Sequence, residues 1–174
     1  MVQVVIVNGM PTSGKSTFVE FCLKKLGIWG REISTVDFVK DIAKQAGWNG
    51  EKDLKNRKFL SDLKDLLTEW NDVPYKKIKE EYDNFNFELN QYDISNHKAF
   101  LFVHCREPQE IQKFKDRLNA FTVLIRRESV ESNKQSNHAD SEVFNFNYDA
   151  VIDNNGDLRE LREKAYGLVE LMTF

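Results

Sequence analysis

Gly9-Met10-Pro11-Thr12-Ser13-Gly14-Lys15-Ser16-Thr17 sets two glycines around four residues and follows the second with Lys-Ser, just after the apolar run Val4-Val5-Ile6-Val7. That spacing is the pattern of a phosphate-binding loop. Backbone N–H groups of such a loop, with the positive end of the helix behind it, form a cradle for a polyphosphate. Gly9 and Gly14 permit backbone conformations and approaches that a Cβ would block. Lys15 is expected to reach the β- and γ-phosphates, and the Ser16 hydroxyl to ligate Mg²⁺. Thr12, Ser13 and Thr17 complete the expected contacts to a nucleoside triphosphate.

Such a loop needs a buried strand ahead of it and a helix behind it. Val4–Val7 supplies the strand, and Phe18, Phe21, Cys22 and Leu26 recur at helical spacing until Gly27. A second strand is expected over Arg31–Val36, closed by Asp37, and a short helix through Phe38, Ile42 and Ala46. A long helix from Glu51 to Trp70 carries the apolar stripe Leu54, Leu60, Leu63, Leu67 and Trp70, with Lys55, Arg57, Lys58 and Lys64 at polar positions. Pro74 breaks that pattern before a helix through Tyr75, Ile78, Tyr82, Phe85 and Leu89. Ala99–Val103 and Phe121–Ile125 read as strands buried on both faces. Between them Pro108 opens a helix whose dipole Glu107 and Glu110 complement. Arg126–Asn147 is polar, weakly periodic and long for a plain connection, hence a candidate functional loop. Ala150–Ile152 is a last strand and Leu158–Met172 a closing helix. The alternation predicts one α/β domain over 1–174, three layers with about five mostly parallel strands. A helical lobe is inserted at 51–95 and a lid loop lies at 127–145.

The 174 residues are 41% hydrophobic and 30% charged, which suits a globular chain able to bury a core. A net charge of −3 gives no overall pull toward nucleic acid, so a nucleic-acid partner is not expected. Cys22 and Cys105 lack metal or disulfide spacing, and His97, His104 and His138 lack metal-ligand spacing. No apolar run is long enough for a membrane span, and the apolar start is a strand rather than a leader. A reducing, cytoplasmic setting is expected. A homodimer stays open.

Three features narrow the nucleotide chemistry toward phosphoryl transfer to a small molecule. No Asn-Lys-x-Asp guanine signature follows the later strands, since Asn133-Lys134 continues into Gln135-Ser136. The chain lacks room for the subdomains of most motor ATPases. The helical insertion at 51–95 sits where nucleotide kinases hold the phosphoryl acceptor. Asp37, at the carboxyl end of the second strand, is placed to orient an acceptor or a magnesium-bound water, or to cap the helix after it. Arg126 and Arg127 open the polar loop, where a cation can stabilise charge on a transferring group. Asn154, in Asn154-Asn155-Gly156, is placed either to meet an adenine edge or to turn the chain into its last helix. Trp48, Trp70 and Tyr75 are candidates to stack on an acceptor base, although Trp70 fits the core better.

Several segments together resemble a family: the phosphate loop, Ser34-Thr35-Val36-Asp37, Arg57-Lys58-Phe59-Leu60-Ser61-Asp62-Leu63, Val103-His104-Cys105-Arg106-Glu107-Pro108, Val123-Leu124-Ile125-Arg126-Arg127, and Tyr148 through Leu158. In this order they are similar to the deoxynucleoside monophosphate kinases of phages and bacteria. These belong to the larger group of P-loop kinases that includes dephospho-CoA kinase and phosphomevalonate kinase. The resemblance implies ATP with Mg²⁺ as donor and a small-molecule acceptor, a deoxynucleotide in the first place. It implies Arg57 as a grip on an acceptor phosphate, against the alternative of a solvated helix face. It also implies Arg106 as a phosphate or acceptor contact. One departure stands out: many P-loop proteins end the third strand in Asp, and this chain has Cys105. A hydroxyl acceptor on a cofactor precursor or a modified base, or a regulatory protein that binds nucleotide without turnover, are the alternatives.

Overall fold

A computed structural model describes residues 2–51, 53–92, 97–131 and 142–173. The middle of the expected lid, with Lys134 and His138, lies outside the described residues. Five strands are described: β1 (Val2–Asn8), β2 (Gly30–Ser34), β3 (Ala99–His104), β4 (Phe121–Arg126) and β5 (Ala150–Asp153). They form one sheet in the order β2-β3-β1-β4-β5, and each neighbouring pair is parallel. The helices are α1 (Lys15–Leu26), α2 (Asp37–Gln45), α3 (Leu54–Asn71), α4 (Val73–Leu89), α5 (Pro108–Leu118), the single turn α6 (Glu128–Glu131) and α7 (Leu158–Thr173).

The two central strands explain the layering. Val5 and Val7 of β1, with Phe100 and Phe102 of β3, pack under α1 and α7 through Phe18, Cys22, Leu161 and Ala165. Val4 and Ile6, with Leu101 and Val103, face Ile78 and Phe85 of α4 and Ile111 and Phe114 of α5. Side chains alternate across a strand, so continuous apolar runs are what a sheet covered on both faces requires. Truncating one of the buried phenylalanines to Ala should cost about 3–5 kcal/mol. The result is the three-layer α/β/α sandwich expected for a phosphate-loop protein, with α2, α3 and α4 inserted between β2 and β3. No described helix is long and apolar enough to cross a membrane.

The insertion departs most from expectation. α3 begins at Leu54 because Asp53 caps it, accepting the Asn56 N–H at 2.7 Å. Its supposed core stripe is only partly covered: Leu60, Leu63 and Leu67 are half-buried, while Leu54 is 77% and Trp70 73% exposed. The buried residue of this helix is instead Lys64, assigned from sequence to a polar face. Pro74 does not separate two distant helices. Asp72 takes a left-handed turn (φ 52°), and Pro74 sits in the first turn of α4, where its missing N–H costs nothing. Past β4 the polar stretch is not wholly loop: α6 forms, and Val143 is fully buried against Met10 and Leu124.

Candidate active site

Parallel strands gather ligands at their carboxyl ends, and there β1 runs into the phosphate loop. Gly9 (φ 150°) passes so close to β4 that a Cβ would overlap the Ile125 carbonyl oxygen and sit 2.7 Å from Ser13 Oγ. Gly14 (φ 98°) is the cap residue of α1, and a Cβ there would strike Asn154 Nδ2. With glycine as cap, the cap residue of α1 offers no side chain to its first-turn amides; the helical ladder starts with Phe18 N–H to Gly14 O at 2.9 Å. Lys15 arches back over the loop, its Nζ 2.6 Å from Gly9 O and 2.7 Å from Met10 O. Thr12 holds a positive φ of 62°, and its hydroxyl donates to Pro11 O at 2.6 Å. Ser16 is exposed and Thr17 half-buried behind it.

Ser13 Oγ is buried and has no hydrogen-bond partner among the described residues. A buried hydroxyl left unpaired costs about 1–3 kcal/mol, so Ser13 Oγ, close to Gly9 across the loop, is a candidate donor to an oxyanion. The uncapped helix start, the Lys15 ammonium and this hydroxyl together form a donor set that fits a polyphosphate. Among the described residues no three His, Cys, Asp or Glu side chains are grouped as a metal site.

Asn154 is buried beside the loop. Its Nδ2 donates to Ser13 O at 2.8 Å and its backbone N–H to Arg126 O at 2.7 Å. It therefore clamps the phosphate loop to the end of β4, a role that neither the adenine-edge nor the turn reading included. Asp37 begins α2 without capping it. Its Oδ2 accepts the Ser34 N–H at 2.8 Å and its Oδ1 pairs with Lys40 at 2.9 Å, which holds the carboxylate at the end of β2.

The other arginines occupy separate stations. Arg126 ends β4 and grips Glu131 through two bonds, 2.9 Å from Nε and 2.7 Å from Nη2. That contact holds the Glu131 carboxyl below its ordinary range. Arg127 is exposed next to it. Arg106 follows β3, and its carbonyl accepts from Asn8 at 3.1 Å. Arg57 is exposed on the second turn of α3. Of the aromatic candidates, Tyr75 packs on Phe114 (centroids 5.4 Å apart), and the indole of Trp48 donates to Glu51 O at 3.2 Å. Trp70 belongs to the surface, not the core.

At the Cys105 position the structure adds a cluster that sequence reasoning missed. Cys105 Sγ lies 3.4 Å from Glu110 Oε2, and the same oxygen is 2.5 Å from Lys64 Nζ; both charged side chains are 11% exposed. Burial pulls the Lys64 ammonium down, but the Glu110 carboxylate outweighs it and leaves the lysine above its ordinary value. Burial first, then Glu110, pushes the Cys105 thiol well up, so it stays protonated. Glu110 was expected only to complement a helix dipole. It instead fastens the insertion to the end of β3.

No family model and no curated protein sequence matches the chain. Solved structures similar to it include a sugar kinase from Janibacter (14% identity, TM-score 0.49, covering 99% of this chain and 97% of that one). Others are a gluconokinase from Sinorhizobium meliloti (13%, 0.48, 98% and 93%) and a shikimate kinase from Bacteroides thetaiotaomicron (13%, 0.47, 99% and 99%). At these identities and TM-scores, the function rests on this chain's own residues.

Proposed function

We propose that the chain is a phosphotransferase that uses ATP with Mg²⁺, and that its acceptor is a nucleoside monophosphate, a deoxynucleotide in the first place. The observation that carries this reading is the unpartnered Ser13 hydroxyl inside a loop closed by Gly9 and Gly14 and backed by an uncapped helix. When bound, ATP-Mg²⁺ supplies the transferable phosphoryl group and a charge-neutralised leaving group.

The chain's contribution is positioning and charge stabilisation. Loop amides, Ser13 and Lys15 bind and orient phosphate oxygens; to do so Lys15 exchanges two carbonyl partners for stronger anionic ones. Ser16 presents a hydroxyl to the metal. Asp37, fixed by Ser34 and Lys40, orients the acceptor. Arg106 and Arg57 offer guanidinium forks to an acceptor phosphate. Arg126 and Arg127 stand where the segment after β4 leaves the sheet. Turning Arg126 onto a phosphate exchanges one bidentate oxyanion partner for another. Asn154 keeps the loop in register with β4.

A coupled ADP-release assay with ATP-Mg²⁺ against all ribo- and deoxynucleoside monophosphates, 5-substituted pyrimidines included, tests this. Acceptor-dependent release that disappears in Lys15→Ala is expected. Silence across the panel with ATP binding intact overturns the nucleotide acceptor and favours a hydroxyl on another small molecule. Absence of ATP binding overturns the donor site.

A further inference from the structure

Asn8 is fully buried at the end of β1, and its side-chain amide is used at both ends. Oδ1 accepts the Gly9 N–H at 2.7 Å, while Nδ2 donates to Arg106 O at 3.1 Å and to the Tyr148 hydroxyl at 2.7 Å. A flipped amide would set its NH₂ against the Gly9 N–H and its oxygen against a carbonyl, so the orientation is determined. Tyr148 accepts from Asn8 and must therefore donate its own proton, which goes to Val143 O at 2.7 Å. Burial pushes the phenol up to about 12, so the proton is retained at neutral pH. An apolar contact runs beside this polar one: Met10, within the phosphate loop, packs on Val143 and Leu124.

We infer that Tyr148 is a positioning residue for the phosphate loop, its hydroxyl tying Asn8 and Gly9 to residues 142–148 so that the two segments order together. The inference rests on reading that loop as the donor site, and it adds a coupling that the site residues themselves do not contain. The Gly9 N–H is spent on Asn8 Oδ1, so Asn8 sets how the chain enters the loop. Asn8 is in turn held by a hydroxyl far along the chain. By linkage, whatever orders the loop also orders residues 142–148, and loosening those residues weakens what the loop binds. The Tyr148 ring has its own support, an edge contact to Phe146 with centroids 5.1 Å apart. Removing the hydroxyl alone therefore isolates the coupling from the packing.

Tyr148→Phe is compared with the parent protein by amide hydrogen exchange without nucleotide and by direct titration with ATP-Mg²⁺. The expected result is about tenfold faster exchange at Gly9 and at 143–147, unchanged exchange in β3, and an ATP Kd raised about tenfold, the size of losing the hydroxyl's bond to Asn8. Unchanged exchange at Gly9, or a uniform rise through the sheet, overturns the proposal. So does a local rise with an unaltered Kd. If the parent protein binds no ATP while the local exchange effect is present, the donor-site reading fails and the positioning role with it, but the coupling stands. If the parent binds ATP and the variant matches it in both measurements, only the proposal fails. Should Tyr148→Phe not fold, exchange in the parent protein is compared with and without saturating ATP-Mg²⁺. Slowing at Gly9 and at 143–147 together is expected by linkage, and slowing at Gly9 with 143–147 unchanged overturns the proposal.

Discussion

The phosphate loop and the helical insertion are built on opposite principles. The loop is tied to the sheet and its strand ends by buried partners: Asn8 to Gly9, Asn154 to Ser13, Met10 to Leu124. α3, by contrast, packs on α2 and α4 with half-buried leucines and reaches α5 through a buried charged side chain. Lys64 reaches Glu110, while much of the remaining helix is exposed and carries surface pairs such as Lys58–Asp62. Exposed pairs of that kind contribute about 0.3–0.5 kcal/mol each, so they add little to what fixes the position of α3. A donor cradle must be rigid before its ligand arrives, because its amides stabilise charge only if already aimed. A lobe built to receive a second substrate can stay looser. The contrast therefore predicts where substitutions act on chemistry and where they act on placement.

The largest effect belongs to the rigid side. Lys15→Ala should lower turnover by about 10²–10³-fold, the usual loss for one positioned cation or donor. Its melting temperature should stay within a few degrees of the parent's, because the Lys15 bonds to Gly9 O and Met10 O lie within the loop rather than in the core. Retained turnover would break the comparison at once. Next comes the anchor. Lys64→Met strands the Glu110 carboxylate beside Cys105 and should cost about 3 kcal/mol in urea unfolding, whereas Lys64→Met with Glu110→Leu should recover most of it. Because the folded ammonium sits above the ordinary lysine value of 10.5, its contribution is complete below that pH. It is lost as pH climbs through the folded value. The Lys64 share of the stability gap between the parent and the double variant should therefore change in that alkaline window, and a change near neutrality would assign it to another group.

The same contrast explains what could be read from the chain. Where local pattern and tertiary environment agree, as in Val4–Val7, the glycines and Phe100–Phe102, strand, loop and layering were all legible. Lys64 was not, because a lysine in a polar slot of an amphipathic helix looks solvated until its partner, 46 residues away, is known. Trp70 failed in the opposite direction: an apolar stripe signals a buried face only as far as the body of the protein extends to cover it. Asn8 and Tyr148 are polar residues 140 positions apart beside strand ends. Periodicity cannot pair them, since their bond depends on the register of β4 with β5. The clamp at Asn154 was half-legible, its place after the last strand clear and its partner not.

Two smaller effects sharpen the reading of the insertion. Arg57→Ala should raise the acceptor KM about tenfold with kcat nearly unchanged, the signature of binding lost equally from ground and transition states. An unaltered KM would return Arg57 to a solvated face. The smallest concerns Trp70. At 73% exposure its indole buries little area on folding, so Trp70→Gln should shift stability by no more than about 0.5 kcal/mol. Leu66, one turn back on the same flank and 61% exposed, should behave alike. A loss of 2 kcal/mol or more at either position in urea unfolding would mean that this flank is covered. α3 would then be held more firmly than its exposed flank indicates, and the contrast with the loop would weaken.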